Sequence, residues 1–176
     1  LEGLAYRITP FNFGQMGMID SELMYKNMMT RFKFGNVKQP DIYLDETVGR
    51  MCQTHRRMFT TLASNLLRKG DKARALKVLQ KCEEELPAAT IPYTEDESQL
   101  SVLWLEAGNK KEATRVAKEV LDYDLKYLTY LNSLGSAHIQ TYRRTTYFLV
   151  MSIIEASRSL MESDAAQYAV YQKRID

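Results

Sequence analysis

The chain predicts an all-α fold, in which antiparallel helical hairpins stack behind an irregular N-terminal cap. Three observations carry this. Apolar residues recur at helical spacing through the middle of the chain and again towards its end. Glycine followed by a capping Asp or Asn separates successive apolar sets, as a helix stop followed by a helix start. Only 8 Gly and 4 Pro are spread over 176 residues, too few for the many turns of a β sandwich.

The length suits one domain, or a domain with a small appendage. A content of 45% hydrophobic and 26% charged residues is ordinary globular composition and excludes a disordered or fibrous chain. A net charge of +2 is too small to announce nucleic acid. The 2 Cys and 2 His leave no disulfide scaffold and few ligands for zinc, so neither a metal nor a cofactor is expected. The chain begins at Leu1 without Met or a signal-peptide pattern and reads as a piece of a longer protein. Its longest uncharged apolar run in the C-terminal third, Thr145 to Ile154, is ten residues. A bilayer crossing needs about 20, so no transmembrane segment is expected here and this run reads as a buried helix.

Taken in order, Leu4 to Ile8 reads as a short strand or extended segment ended by Thr9-Pro10. Asn12 to Gly17 is loop. Asp20 or Ser21 caps a helix to about Phe32, with Leu23, Met24, Met28 and Phe32 as its apolar stripe. Gly35-Asn36 and Gln39-Pro40 mark a loop, and Asp45 caps a long helix carrying Val48, Met51, Cys52, His55 and Phe59. Leu62, Ala63 and Leu66 continue it to Gly70-Asp71. A second helix follows with Ala75, Leu79 and Cys82 and stops at Pro87. Thr94 and Glu97 have the spacing of a capping box and open a helix with Leu100, Leu103, Trp104 and Ala107 that ends at Gly108. Asn109 and Glu112 repeat that spacing before Ala113, Val116, Ala117, Val120 and Leu121. From Asp122 to Gly135 the phase is lost, and the stretch reads as a connection. A long helix from about Ala137 to Glu162 is expected to bury Tyr147, Val150, Met151, Ile154 and Met161. Ser163-Asp164 starts a terminal helix with Ala165, Tyr168, Ala169 and Tyr171. The organisation is thus a cap over 1–45 with one helix, two hairpins over 46–125, and C-terminal helices over 126–176 that cap the stack as a third, degenerate hairpin.

Gly70 and Gly108 lie 38 residues apart, close to the period of about 34 residues of tetratricopeptide repeats, and the two hairpins resemble that repeat. In the first, Leu62, Ala63, Leu66, Gly70, Ala75, Leu79, Cys82 and Pro87 fall at its positions. In the second, Leu100, Ser101, Trp104, Gly108, Ala113, Ala117 and Val120 do, with Leu125 where a closing proline is usual. Elsewhere the words LEGLAYRITP, GMIDSELMYKNMMTRFKFGN, YLDET and THRRMF resemble the C-terminal region of a bacterial family of polytopic membrane proteins. That family, labelled as a domain of unknown function, is related to protein O-mannosyltransferases. The resemblance implies membrane helices upstream of Leu1, a lipid-linked sugar donor, a carboxylate-dependent transfer carried by the membrane part, and a periplasmic position for this soluble part. It places no catalytic residue in the chain.

The function expected is a non-catalytic accessory or protein-interaction domain at the C-terminus of a membrane-bound, glycosyltransferase-like protein. Its partner would be the parent's membrane domain or a peptide segment. The alternative is an independent tetratricopeptide adaptor that binds peptides. In tetratricopeptide stacks the first helix of each hairpin lines the concave face. That pattern puts Arg57, Thr60, Thr61, Ser64 and Arg68 on a partner groove, with Glu95, Ser98, Gln99, Val102 and Glu106 of the second unit. Residues Leu1 to Pro40 would fill it, or an external segment would. His55, Arg56 and Arg57 form a candidate anion site, because guanidinium forks suit phosphate or carboxylate. His55 lies one turn from Cys52, but no oxyanion donor or Gly-rich turn accompanies the pair, so a structural role outweighs a catalytic one. Asp41, Asp45 and Glu46 read as helix-start acids. Cys52 and Cys82 lie at different distances from the Gly70 turn, offset by roughly 9 Å along the hairpin, and are expected as free thiols. Arg50 to Lys81 contains nine Lys or Arg and one acid, whereas Cys82 to Glu106 contains seven acids and no base. Glu83, Glu84 and Glu85 sit against the macrodipole of their helix, which suggests that these charges serve partners.

Overall fold

The computed structural model describes residues 1–6, 8, 19–135 and 139–175. Among them are seven α-helices and no strand: α1 (Ser21–Lys26), α2 (Glu46–Arg68), α3 (Lys72–Glu85), α4 (Ser98–Glu106), α5 (Lys110–Ser133), α6 (Ile139–Ser163) and α7 (Ala165–Ile175). They fall into two compact units, Leu1–Pro92 and Tyr93–Asp176. The division lies within the 46–125 stretch that the sequence presents as one run of hairpins.

The first unit is built on the α2–α3 hairpin. Asp45 accepts from the Val48 amide at 2.9 Å and so opens α2. The helix closes at Gly70, whose φ of 81° is left-handed. There the Gly70 amide donates to Leu67 O at 2.8 Å and the Asp71 amide to Leu66 O at 2.9 Å, the two bonds of a Schellman turn. The Asp71 carboxylate then takes the Arg74 amide at 3.0 Å and starts α3. Phe59, Leu62, Ala63, Leu66, Ala75, Val78, Leu79 and Cys82 have essentially no exposed surface. Met51, expected inside, is 56% exposed because it lies off that stripe.

The helix expected from Asp20 or Ser21 to about Phe32 forms, but only its first half is α. After Lys26 the backbone widens into a π-helical turn, Asn27–Arg31, and ends at an extended Phe32. Met24 and Met28 are still buried. The segment is fastened to the hairpin through polar contacts: Lys69 Nζ donates to Ser21 Oγ at 2.5 Å and Arg74 Nη1 to Glu22 Oε2 at 2.7 Å. Downstream, Phe34 lies 5.6 Å from the Phe59 ring and 5.8 Å from His55. The expected strand at Leu4 to Ile8 does not form among the described residues. Tyr6 and Ile8 are 72% and 98% exposed, so no sheet partner shelters them. Arg7, Thr9-Pro10 and the Asn12 to Gly17 loop lie outside the described residues.

The second unit repeats the same turn. Thr94 and Glu97 form the expected capping box, with the Thr94 amide donating to Glu97 Oε2 at 2.7 Å, and it opens a 3-10 turn that leads into α4. At Gly108, with φ 93°, the Gly108 amide bonds Leu105 O and the Asn109 amide bonds Trp104 O, both at 2.9 Å. Asn109 then caps α5 by accepting from Glu112 N at 3.2 Å. Leu100, Ser101, Trp104, Ala113, Ala117 and Val120 are all buried.

Two sequence expectations fail here. The supposed connection from Asp122 to Gly135 is helix as far as Ser133, and α5 runs unbroken for 24 residues. Its periodicity is obscured because a carboxylate, Asp124, occupies a core position with 0% exposure. α6 turns its other side inward. It buries Leu149, Ser152, Ile153, Ala156, Ser159 and Leu160, whereas Tyr147, Val150, Met151, Ile154 and Met161 are all at least 40% exposed. This helix is apolar around most of its circumference, so spacing alone does not name the inner face. Packing selects the side with small residues, which lets α4 and α5 approach closely. Asp164 caps α7 by accepting from Gln167 N at 3.1 Å, and of the residues expected on its stripe Tyr171 is buried. The start expected near Ala137 lies outside the described residues.

Candidate interaction surface

The outward side of α6 is the most distinctive surface of the second unit. Tyr147, Phe148, Met151, Ile154 and Met161 present 41–60% of their surface to solvent. Contiguous exposed apolar area of this kind is where proteins take partners. A shallow cleft of about 480 Å³ runs along one side of the strip, with Phe148, Met151 and Ile154 as its apolar wall. Its opposite wall is polar: Glu95, Asp96, Ser98 and Gln99. Ser98 donates its hydroxyl to Glu155 Oε2 at 2.6 Å and ties that wall to α6. A second cleft of about 300 Å³ follows the other side, where Tyr168, Gln172 and Ile175 of α7 face Ile154 and Met161. Ile154 and Arg158 line both clefts.

Beneath the first cleft lies a buried acid. Asp124 of α5 makes no bond of hydrogen-bond geometry through either carboxylate oxygen. Burial pushes its pKa up to about 7, the nearby Ser152 hydroxyl pulls it down, and Glu95 and Glu97 push it further up. Tyr123 is raised to about 12, again chiefly by burial, with Glu95 adding to it.

The residues expected to form a partner groove divide between the units. In the first, Arg57 and Arg68 are exposed, Thr61 and Ser64 half-buried, and Thr60 buried at 7% exposure. The Thr60 and Thr61 hydroxyls both donate to Arg57 O at 2.8 Å, so neither is idle. Described contacts of the N-terminal segment with α2 and α3 include those on His55, Phe59, Lys69, Arg74, Glu84 and Glu85. In the second, Glu95, Ser98 and Gln99 line the α6 cleft, where α6 meets them as the sequence pattern did not foretell.

The candidate anion site does not share one surface. Arg56 points into the first unit with 1% exposure and donates to Leu86 O at 2.9 Å and Ile91 O at 2.6 Å. It pins the loop after α3 instead of facing solvent. Arg57 points outward on the next residue. His55 gives its Nδ1 hydrogen to Met51 O at 2.7 Å, which fixes the ring within its own helix. Burial pushes the Cys52 thiol up, with Arg56 only partly offsetting it, so a thiolate nucleophile is disfavoured. Both cysteines are buried, and neither is in a disulfide. Asp45 is spent on its helix cap, and Glu46 stands 3.9 Å from Arg50. The acids at the end of α3 have a local partner: Lys38 lies 3.7 Å from Glu84 and 3.2 Å from Glu85. Burial alone would raise the Glu85 carboxyl, but Lys38 and Lys81 together hold it below its ordinary range.

No helix among the described residues is long and apolar enough to cross a membrane. No family model, curated protein or solved structure matches this chain.

Proposed function

We propose that this chain is a non-catalytic, protein-interaction domain whose contact surface is the outer face of α6 with the cleft beside it. The observation that carries the reading is the exposed strip Tyr147–Met151–Ile154–Met161, on a helix whose opposite side already fills the core. An apolar strip bordered by polar residues is the arrangement by which helical domains accept partner segments. Glu95, Ser98 and Gln99 supply hydrogen-bonding groups along its edge. The sequence resemblance adds the setting: an accessory domain at the C-terminus of a glycosyltransferase-like membrane protein, on its periplasmic side. The chemistry belongs to the membrane part in this reading. The tetratricopeptide-like hairpins serve as the frame that presents α6.

Site-specific photo-crosslinking in the full-length protein tests the contact surface. A photoreactive phenylalanine at Met151 gives a discrete adduct that Ile154→Glu removes, whereas the same group at exposed Lys111 on α5 does not. Equal labelling at both positions overturns the reading. The non-catalytic part is tested by supplying the isolated chain with a lipid-linked sugar donor and a peptide acceptor. No transfer is expected, and turnover that a His55→Ala variant abolishes overturns it.

A further inference from the structure

Resting on the reading of α6 as a contact surface, we propose that its occupant is a second copy of the chain, docked through antiparallel pairing of the two α6 helices. The exposed positions Arg144, Tyr147, Met151, Ile154, Arg158 and Met161 are spaced by three, four, three, four and three residues. That is the seam of a coiled coil, and in an antiparallel pair each a position faces a d position of the partner helix. A two-fold axis midway between Met151 and Ile154 sets each residue opposite the one whose number completes the same sum. Met151 then meets Ile154, an apolar layer made twice. Tyr147 meets Arg158, so that each ring receives a guanidinium from the other copy, a cation–π contact. Arg144 meets Met161, with the carboxylate of Glu162 on the same flank one residue beyond. The chemistry is therefore self-complementary, as an isologous interface requires.

Alternatives fit less well. A basic partner helix would satisfy the acidic wall of the cleft but would set its cations against Arg144 and Arg158 on the strip. An acidic one would meet Glu95, Asp96 and Glu155 at its edge. A copy of the same strip keeps arginine away from arginine, since Arg158 meets Tyr147 and Arg144 meets Met161 with Glu162 beside it. From Arg144 to Glu162 the seam is about 27 Å long at 1.5 Å per residue. A single helix pair of this length buries less than the roughly 800 Å² per partner of a standard interface. The pairing is thus weak and concentration-dependent.

Sedimentation equilibrium of the whole chain across a wide concentration range tests this, with circular dichroism to show that each variant is folded. The parent chain is expected to be in monomer–dimer equilibrium, and Met151→Glu is expected to abolish the dimer. Arg144→Glu alone sets like charges together, as does Glu162→Arg alone, and each weakens association by about tenfold or more. The double variant Arg144→Glu/Glu162→Arg restores it, an outcome that a parallel pair or a different face does not produce. A dimer that these substitutions leave unchanged overturns the proposal. A monomer at every concentration also overturns it, and the crosslink at Met151 then separates the two readings. An adduct with another protein or with lipid retains the contact surface and rejects the second copy. No adduct rejects both.

Discussion

Arg56 shows how one residue decides the ending of an element some thirty positions away. Its guanidinium is buried, and its two strong bonds go to the carbonyls of Leu86 and Ile91, on either side of the turn that follows Pro87. Those carbonyls have little water to turn to. Arg56→Met keeps much of the volume but leaves buried acceptors unpaired, and stability should fall by about 3 kcal/mol, read as a lowered urea midpoint with the slope unchanged. An unaltered midpoint would show that the loop is held by other means. Asp124 is the second such residue. Its folded pKa of about 7 lies above the ordinary carboxylate value of 3.8. The native state therefore holds a proton that the unfolded chain has already lost between these values. The contribution is fully present below the unfolded pKa and is lost as pH rises through about 7. Melting temperature should thus decline from pH 5 to pH 8, and Asp124→Asn should flatten that decline. A wild-type profile that rises over this interval would contradict the assignment.

At the scale of elements, the two hairpin turns are the same device built twice. Glycine at positive φ closes one helix, and an Asx side chain at the next residue opens the following one. The motif needs only about six residues, which is why it reads directly from the chain. α6 is the contrasting case. Its inner and outer faces are both apolar, so the spacing admits two phases one half-turn apart. A pair of substitutions distinguishes them. Leu149→Ala removes a side chain with 0% exposure and should cost about 2–5 kcal/mol. Met151→Ala lies on the open face, and a surface change of this kind is usually within about 0.5 kcal/mol. Thermal melts with the opposite order would restore the phase that the sequence suggests.

At the scale of the whole molecule, the chain divides into two units, Leu1–Pro92 and Tyr93–Asp176. Each holds its own side of that boundary. Arg56 reaches Ile91 in the first unit, while Arg115 Nη2 lies 3.4 Å from the Tyr93 hydroxyl in the second. Each unit also has its own set of fully buried side chains, among them Phe59, Leu62 and Leu79 in one and Trp104, Leu121 and Leu149 in the other. Residues 93–176 expressed alone should therefore give a cooperative thermal transition and retain the near-ultraviolet signal of buried Trp104. A broad, non-cooperative melt would mean that this unit depends on residues 1–92.

What the chain by itself determines is local. Helix starts at Asp20, Asp45, Asp71, Thr94, Asn109 and Asp164 are legible because a cap involves neighbours three residues apart. The cores of the two hairpins are legible because their apolar stripes are narrow. Tertiary structure alone decides three things: that Arg56 faces inward, that α5 continues through Asp124, and which side of α6 meets the core. In each case a residue's placement depends on what a distant segment offers it. For Arg56 that is a set of carbonyls, and for Asp124 a low-polarity site. For α6 it is neighbouring helices close enough to demand Ser152, Ala156 and Ser159 instead of the bulkier apolar residues on the opposite face. Those bulkier residues were left for solvent, and the candidate contact surface exists because of that choice.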